Sequence, residues 1–145
     1  MNDKCFVDTN ILVYAYNADE HEKHAQAVAL LQELWDRKTG VLSLQVLQEF
    51  YVTVTQKIER PISSQQARKI VADYIATWEI VEPTTETLLL AIEFRDKYQL
   101  HFWDAMILAT AKEAGACVVY SEDFQHGREI EGIRFVNPFK SKTRR

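Results

Sequence analysis

Short apolar runs alternate with longer amphipathic stretches along the whole chain. Five runs predict strands; they are Cys5-Phe6-Val7, Val41-Leu42-Ser43, Glu79-Ile80-Val81-Glu82, Cys117-Val118-Val119-Tyr120 and Ile133-Arg134-Phe135-Val136. The stretches between them carry apolar side chains at the three- and four-residue spacing of helices. Strands that alternate with helices predict a parallel sheet covered on both faces. We therefore expect a three-layer α/β/α sandwich with a central, mainly parallel sheet of about five strands.

Longer amphipathic stretches predict five helices, over residues 19–38, 44–57, 63–77, 84–98 and 103–114. Local signals mark their ends, such as Ser43 and Ser63 as N-terminal caps and Gly115 as a C-terminal stop. The apolar stripes of these helices are expected to be buried; they include Val28, Ile75, Leu88, Leu89 and Ile92. Glu49 points away from the stripe of its own helix, so its position alone indicates a surface residue.

The composition is that of an ordinary globular protein, and we expect one domain over residues 1–145. The chain is 47% hydrophobic and 26% charged. No apolar run approaches the roughly 20 residues that span a bilayer, and the N-terminus lacks a signal-peptide pattern. We therefore expect a cytoplasmic protein with no membrane contact. Cys5 and Cys117 both lie in apolar runs and are expected to be core residues.

The net charge of −4 does not indicate a nucleic-acid binder dominated by a basic surface. Residues 140–145 are locally basic, and we expect them to form a flexible tail. Elsewhere the basic residues that remain as candidates for contacts with phosphate are Lys57, Arg60, Arg68 and Lys69. Binding of nucleic acid is not excluded, because metal ions offset the charge of an acidic cleft.

Four acidic residues are predicted to converge at one edge of the sheet. Asp8 directly follows the first strand, and Asp123 comes just after the strand that ends at Tyr120. Glu49 lies in the helix that follows the second strand, and Asp104 opens the helix that leads to the strand before Asp123. Because the carboxyl ends of parallel strands lie at one edge, we expect the four carboxylates to share one pocket.

Carboxylates that converge repel one another and are costly to remove from water. Divalent cations resolve this problem, and Mg²⁺ prefers oxygen ligands while it keeps waters that leave room for phosphate. One or two such ions promote the attack of water on a phosphodiester. Thr9, Asn10 and Ser121 are the neutral side chains expected to orient ligands or waters there.

Each of the four acids also has an ordinary interpretation. Asp8 and Asp104 are typical of helix starts, where a carboxylate interacts favourably with the helix dipole. Asp123 is a common kind of turn residue, and Glu122 beside it is a rival for the same role. The functional hypothesis therefore depends on all four acids together and on the predicted topology.

Four blocks of sequence, in order along the chain, carry a resemblance to a known family. They are Val7-Asp8-Thr9-Asn10-Ile11-Leu12-Val13-Tyr14, Gln48-Glu49-Phe50, Trp103-Asp104-Ala105-Met106-Ile107-Leu108-Ala109-Thr110-Ala111 and Tyr120-Ser121-Glu122-Asp123-Phe124-Gln125-His126-Gly127. With the closing Val136-Asn137-Pro138-Phe139, they extend over nearly the full chain. The chain resembles PIN-domain proteins, and more narrowly the VapC-type toxins of bacterial toxin–antitoxin pairs.

This resemblance implies a PIN-like α/β/α sandwich and an endoribonuclease that depends on Mg²⁺ or Mn²⁺. By motif position, Asp8, Glu49 and Asp104 would be the core metal acids. Asp123 would be the fourth and would support a second ion, with Ser121 in the place of the family's Thr or Ser. The resemblance thereby favours Asp123 over its neighbour, and it gives an assisting role to Thr9 or Asn10.

The resemblance also implies partners: an RNA substrate, a cognate antitoxin of the VapB type and a second copy of the chain in a homodimer. An Arg or Lys of the antitoxin would enter the acidic pocket and displace metal. The exposed faces of the helices predicted over residues 44–57 and 63–77 are candidate docking surfaces for that antitoxin.

Other functions remain open on the sequence. A nuclease of the same fold that processes RNA or DNA without an antitoxin would use the same acids. A non-catalytic module would use its carboxylates to bind a basic peptide, for which Arg is well suited. An aspartyl-phosphate phosphatase built on Asp8 is a weaker alternative, because Asn10 stands where a second acid is needed.

Overall fold

A six-stranded sheet forms the centre of the computed structural model, which describes residues 3–140. Its strands are β1 (Cys5–Val7), β2 (Gly40–Ser43), β3 (Glu79–Val81), β4 (Val118–Tyr120), β5 (Glu129–Ile130) and β6 (Ile133–Val136). In space they follow the order β3-β2-β1-β4-β6-β5, and every pair is parallel except β5 with β6. The predicted three-layer fold and mainly parallel sheet are confirmed, with one strand more than the five expected.

The additional strand, β5, is a two-residue element that forms a hairpin with β6. Glu131 and Gly132 join the two strands, and both have positive φ, at 55° and 78°. Positive φ at both central residues is the turn geometry that matches the twist of paired strands. Two residues are too few to show the alternation of apolar and polar positions that predicts a strand, so the sequence pattern does not reveal β5.

In the described part of the chain, six α-helices connect the strands. They are α1 (Thr9–Ala15), α2 (His21–Arg37), α3 (Leu44–Val52), α4 (Ser64–Thr77), α5 (Thr85–Tyr98) and α6 (Phe102–Ala114). Ser63 and Thr84 cap α4 and α5 through reciprocal capping boxes. Gly115, at φ 78°, ends α6 in the left-handed conformation that glycine adopts without strain.

Three helices differ from the prediction by more than the choice of cap residue. The helix expected over residues 19–38 begins with a 3₁₀ turn, Ala18–Glu20, and becomes α-helical only at His21. The helix expected over residues 44–57 leaves α geometry after Val52 and continues as a π-helical turn, Thr53–Lys57. The last helix begins one residue earlier than expected, at Phe102. Apolar spacing tolerates such local changes of winding and therefore does not report them.

The predicted burial of helix faces is wrong at five positions: Val28, Ile75, Leu88, Leu89 and Ile92 are all exposed. On α5 the buried side chains are Thr87, Ala91 and Phe94, and this helix packs mainly against α6. That face is narrow, so the leucines beside it remain in solvent. Apolar periodicity predicts the direction of the buried face but not its width.

Within residues 3–140, no helix is both long enough and apolar enough to cross a membrane. The basic tail predicted for residues 140–145 lies outside the described residues, except for Lys140.

An aromatic cluster closes the edge of the core near β2. Trp35, Tyr74 and Trp78 lie with ring centroids 4.8–5.8 Å apart. The six-membered ring of Trp78 lies against Gly40, where a Cβ atom would come within 2.4 Å of Trp78 Cζ3. Glycine is therefore required at the start of β2 by the close approach of this ring.

Gly40→Ala is expected to destabilise the protein by about 1–3 kcal/mol, the usual cost of overpacking a well-filled core. Urea denaturation measures this loss. The same substitution in a Trp78→Leu background should cost clearly less, because the six-membered ring is gone. An equal cost in both backgrounds would contradict the steric explanation.

Candidate active site

Parallel pairing brings the polar residues that follow three strands to the same edge of the sheet. β1 pairs in parallel with both β2 and β4, so Asp8, Ser43 and Ser121 all lie at the carboxyl ends of neighbouring strands. The backbone N–H of Asp8 donates to the carbonyl oxygen of Tyr120 at 2.9 Å. This bond places Asp8 directly beside the segment that carries Ser121 and Asp123.

The carboxylate of Asp8 is buried, at 7% exposure, and both of its oxygens accept hydrogen bonds. Oδ1 accepts the backbone N–H of Thr9 at 2.8 Å, which also caps the start of α1. Oδ2 accepts the hydroxyl of Ser121 at 2.8 Å, and Ser121 is itself buried. Two neutral donors from different parts of the chain therefore fix the orientation of this carboxylate.

Burial raises the pKa of Asp8 to about 6, although the hydrogen bonds from Ser121 and Thr9 favour the charged form. The negative charges of Asp123 and Glu49 raise the pKa of Asp8 further. These two acids are therefore close enough to repel Asp8. The charged form of Asp8 has no basic side chain in an ion pair among residues 3–140.

Glu49 reaches the same edge from α3. It is exposed, as its helix position predicts, but its carboxylate is held on both sides. Oε1 accepts the hydroxyl of Thr9 at 2.8 Å, and Oε2 accepts the side-chain amide of Gln45 at 3.3 Å. Thr9 thus connects two of the predicted acids, through its backbone to Asp8 and through its hydroxyl to Glu49.

Asp104 and Asp123 complete the set of four. Asp104 lies in the first turn of α6. Burial is the main cause that raises the pKa of Asp104; repulsion from Asp123 raises this pKa further, and His101 lowers it. Asp123 is exposed, and its backbone N–H donates to the hydroxyl of Ser121 at 3.0 Å. Ser121 therefore contacts the Asp8 carboxylate and the Asp123 backbone at the same time.

Glu122, the rival of Asp123, is engaged elsewhere. Its carboxylate accepts the hydroxyl of Tyr14 at 2.8 Å and forms an ion pair with Lys23. Its backbone N–H donates to the side-chain oxygen of Asn10 at 3.4 Å. Asn10 thus supports the backbone of this segment.

Electrostatic repulsion links the four predicted acids, since Glu49 and Asp123 raise the pKa of Asp8 and Asp123 raises the pKa of Asp104. Among the described residues, no three His, Cys, Asp or Glu side chains form a ready-made cluster for a metal ion. Sequence reasoning gave no role to Gln45, Tyr14, Lys23 or His101. Of these four residues, only Gln45 could have been found from the sequence, because it lies one helical turn before Glu49 and can contact its side chain.

Two depressions adjoin the acidic edge. A cavity of about 380 Å³ is lined by Thr9, Gln48, Glu49, Val52, Thr53 and Lys57. An apolar groove of about 670 Å³ between α3 and α4 is lined by Leu44, Leu47, Gln48, Tyr51, Val52, Ser64, Arg68, Val71 and Ile75. Gln48 and Val52 line both, so the apolar groove and the cavity beside Glu49 are neighbours that share one wall.

Fold and site together define an α/β protein with an acidic centre at the carboxyl edge of a mainly parallel sheet. A family model described as the PIN domain matches residues 5–128. The chain therefore belongs to the PIN-domain family, which confirms the resemblance seen in its sequence blocks.

Solved structures share this fold over most of the chain. A toxin–antitoxin complex from Klebsiella pneumoniae is 24% identical, with a TM-score of 0.69, over 93% of this chain and 98% of that chain. VapC20 from Mycobacterium tuberculosis, a toxin that cleaves the sarcin–ricin loop, is 21% identical, with a TM-score of 0.60, over 83% and 90%. VapBC2 from Rickettsia felis, bound to promoter DNA, is 18% identical, with a TM-score of 0.63, over 90% and 96%. Comparison with curated protein sequences finds no significant match.

Asp8→Asn is expected to stabilise the metal-free protein above about pH 6. The pKa of Asp8 is about 6 in the folded protein, compared with 3.8 for an ordinary Asp. The folded state therefore binds this proton more tightly, and the free energy of unfolding falls as the pH rises from about 4 to 6. A pKa shift of this size corresponds to a decrease in the free energy of unfolding on the order of 2–3 kcal/mol.

Thermal melting in EDTA between pH 4 and pH 8 checks this expectation. The difference in Tm between Asp8→Asn and the wild type should be small near pH 4 and should grow as the pH rises. Asp36→Asn, at an exposed carboxylate on α2, is the control and should show no such trend. Parallel pH profiles of Asp8→Asn and wild type would contradict the assignment.

Proposed function

We propose that this protein is a metal-dependent endoribonuclease that acts as the toxin of a toxin–antitoxin pair. The observation that carries the proposal is a buried carboxylate, Asp8, whose pKa is raised and which is repelled by Glu49 and Asp123. No basic side chain among residues 3–140 forms an ion pair with these three acids or with Asp104. A divalent cation is the natural counter-charge for such a group.

The donor atoms fit a hard cation. Asp8, Glu49, Asp104 and Asp123 offer only carboxylate oxygens, the ligands that Mg²⁺ and Mn²⁺ prefer. In the proposal these four side chains hold one or two ions. When bound, such ions polarise the phosphoryl group and lower the pKa of a water at that site.

The remaining residues of the site act on these ligands and on the substrate. Ser121 and the backbone of Thr9 fix the Asp8 carboxylate, while the Thr9 hydroxyl and Gln45 fix Glu49. Lys57 lines the cavity beside Glu49 and offers a positive charge to a phosphate of the RNA backbone. The chain itself thus orients the acids and supplies one contact for the nucleic acid.

The choice of RNA and of a toxin role draws on the similar structures. One of them is a toxin that cleaves the sarcin–ricin loop, an RNA element, and others are complexes of a toxin with its antitoxin. These neighbours are matched over 90% or more of their own length. A PIN-domain nuclease that acts on DNA, or without an antitoxin, is the alternative that the experiments below separate.

Asp8→Asn and Asp104→Asn are each expected to abolish cleavage of RNA, with a loss of more than about 100-fold. Even groups that only support a metal ligand change metal affinity or activity by about 10–100-fold, and these residues are proposed as ligands. Gel-based cleavage of a structured RNA, with Mn²⁺ or with EDTA, measures the effect.

Asp36→Asn should cleave RNA like the wild type, because its carboxylate only accepts a hydrogen bond from Gln32 on the surface of α2. DNA of the same sequence is the second arm of this assay. Cleavage that persists in EDTA, or in both Asp variants with Mn²⁺, would refute the proposed centre. Cleavage of DNA in preference to RNA would replace the proposed substrate.

The proposed antitoxin binds in the apolar groove between α3 and α4. The groove and the cavity beside Glu49 share a wall at Gln48 and Val52, so a segment that continues from a helix seated in the groove would bring an Arg or Lys to the carboxylates. A guanidinium matches carboxylate geometry well. Such a partner would occupy the place of the cation and block the site.

Ile75→Glu is expected to weaken binding of this antitoxin at least about tenfold, which corresponds to 1.4 kcal/mol. Ile75 lines the groove, and burial of an unpaired carboxylate there costs more than that amount. The measurement is growth on co-expression with the small open reading frame adjacent to the gene. That frame should relieve growth inhibition by the wild type but not by Ile75→Glu.

Val28→Glu changes a similarly exposed apolar residue outside the groove and should still be neutralised. All three proteins should cleave RNA equally. If no adjacent reading frame relieves the growth inhibition, the antitoxin part of the proposal is wrong and the nuclease part stands by itself.

A homodimer remains part of the proposal. Leu88, Leu89 and Ile92 form an exposed apolar patch on α5, and such patches favour association between copies of a chain.

A further inference from the structure

A fifth acid, Glu122, follows the same strand as Asp123 and is held in a different way from the four acids of the proposed centre. Glu122 and Asp123 are neighbours on the short segment that follows β4, yet only Glu122 has a basic partner among residues 3–140. Lys23 of α2 forms an ion pair with the Glu122 carboxylate, and Tyr14 of α1 donates its hydroxyl to the other oxygen at 2.8 Å. Glu122 is thereby fixed against two helices.

The ammonium group of Lys23 is itself held in place by aromatic rings. Its Nζ atom lies 5.1 Å from the ring centroid of Tyr14 and 5.5 Å from that of Phe139. The two rings pack edge to face, with centroids 5.2 Å apart. A cation over aromatic rings is stabilised by their electron density. Lys23 therefore contacts two aromatic rings as well as the Glu122 carboxylate, although its side chain is 41% exposed.

The same segment is anchored at each of its three residues. The Ser121 hydroxyl donates to Asp8 and accepts from the backbone of Asp123, while the backbone of Glu122 donates to Asn10. The Asp123 carboxylate is the one acidic group of this segment that makes no ion pair among the described residues. Because no ion pair within residues 3–140 holds this carboxylate, the direction of the Asp123 side chain depends on the contacts that hold Ser121 and Glu122.

We propose that Lys23 and Tyr14 are positioning residues that set the direction of the Asp123 side chain by holding Glu122 against α1 and α2. The inference rests on the proposed function, because it concerns the same acidic centre. Without Lys23, the Glu122 carboxylate loses its ion pair and keeps, among the described residues, only the hydrogen bond from Tyr14. The segment that carries Asp123 would then be held less firmly against α1 and α2.

The chain contains a matched control cluster at another place. Tyr98 donates its hydroxyl to Glu131, and Lys97 Nζ lies 3.5 Å from the same carboxylate. Lys97 also lies over the ring of Tyr98, 5.3 Å from its centroid. This cluster has the same three residue types, although Lys97 and Tyr98 reach one oxygen of Glu131 and Lys112 also pairs with that carboxylate. It joins the end of α5 to the turn before β6.

Lys23→Met and Tyr14→Phe are each expected to raise the Mn²⁺ concentration for half-maximal RNA cleavage by about tenfold. This is the lower end of the effect of groups that orient metal ligands, because the two residues act through Glu122 and the backbone. Cleavage at saturating Mn²⁺ should be largely retained. Lys23→Arg should restore the wild-type value, and Lys97→Met and Tyr98→Phe should match the wild type throughout.

Calorimetric titration with Mn²⁺ gives a second readout that does not depend on cleavage. In an Asp123→Asn background, Lys23→Met should cause no further loss of Mn²⁺ affinity, since residues that act through one another are not additive. Tm values of every variant show whether folding is intact.

The proposal is overturned if Lys23→Met requires no more Mn²⁺ than Lys97→Met, or if its effect adds fully to that of Asp123→Asn. A wild-type protein that neither cleaves RNA nor binds Mn²⁺ would instead refute the proposed function. The two failures are therefore distinct.

Discussion

The structure depends on one costly feature, a carboxylate buried at the end of the central strand. Burial of an ionised group that has no basic partner destabilises the folded protein by several kcal/mol unless hydrogen bonds replace the lost hydration. The Asp8 carboxylate receives two such bonds, from the Thr9 backbone and the Ser121 hydroxyl. Its pKa is nevertheless raised, so these donors offset the cost only in part. Buried charged groups normally have a partner of opposite charge, and exceptions to this pattern are expected at functional sites.

The bonds that offset this cost also organise the rest of the site. Thr9 binds Asp8 through its backbone and Glu49 through its hydroxyl, and Ser121 binds Asp8 and the backbone of Asp123. Asp8 therefore lies at the centre of a network that joins β1, α3 and the segment after β4. A change at either neutral residue would move two acids at once.

Sequence could predict the position of Asp8 because this position depends on a local pattern. Short apolar strands identify the parallel sheet, and Asp8 lies at the end of the first of them. Features that depend on distant packing were beyond reach, such as the exposure of Leu89 on α5. The different contacts of Glu122 and Asp123 also depend on distant packing and could not be predicted. Lys23 lies 99 residues from Glu122, and no local pattern connects them.

The acidic character of the chain has a consequence for the proposed nuclease. A metal-free centre of four carboxylates repels phosphate, so a bound cation both activates the site and removes the barrier to RNA. Among residues 3–140, Lys57 is the only basic residue that lines the cavity beside Glu49. Binding of RNA and catalysis would therefore depend on the same ion. A basic side chain of the proposed partner would satisfy the same carboxylates, and its entry would prevent RNA binding and catalysis at once.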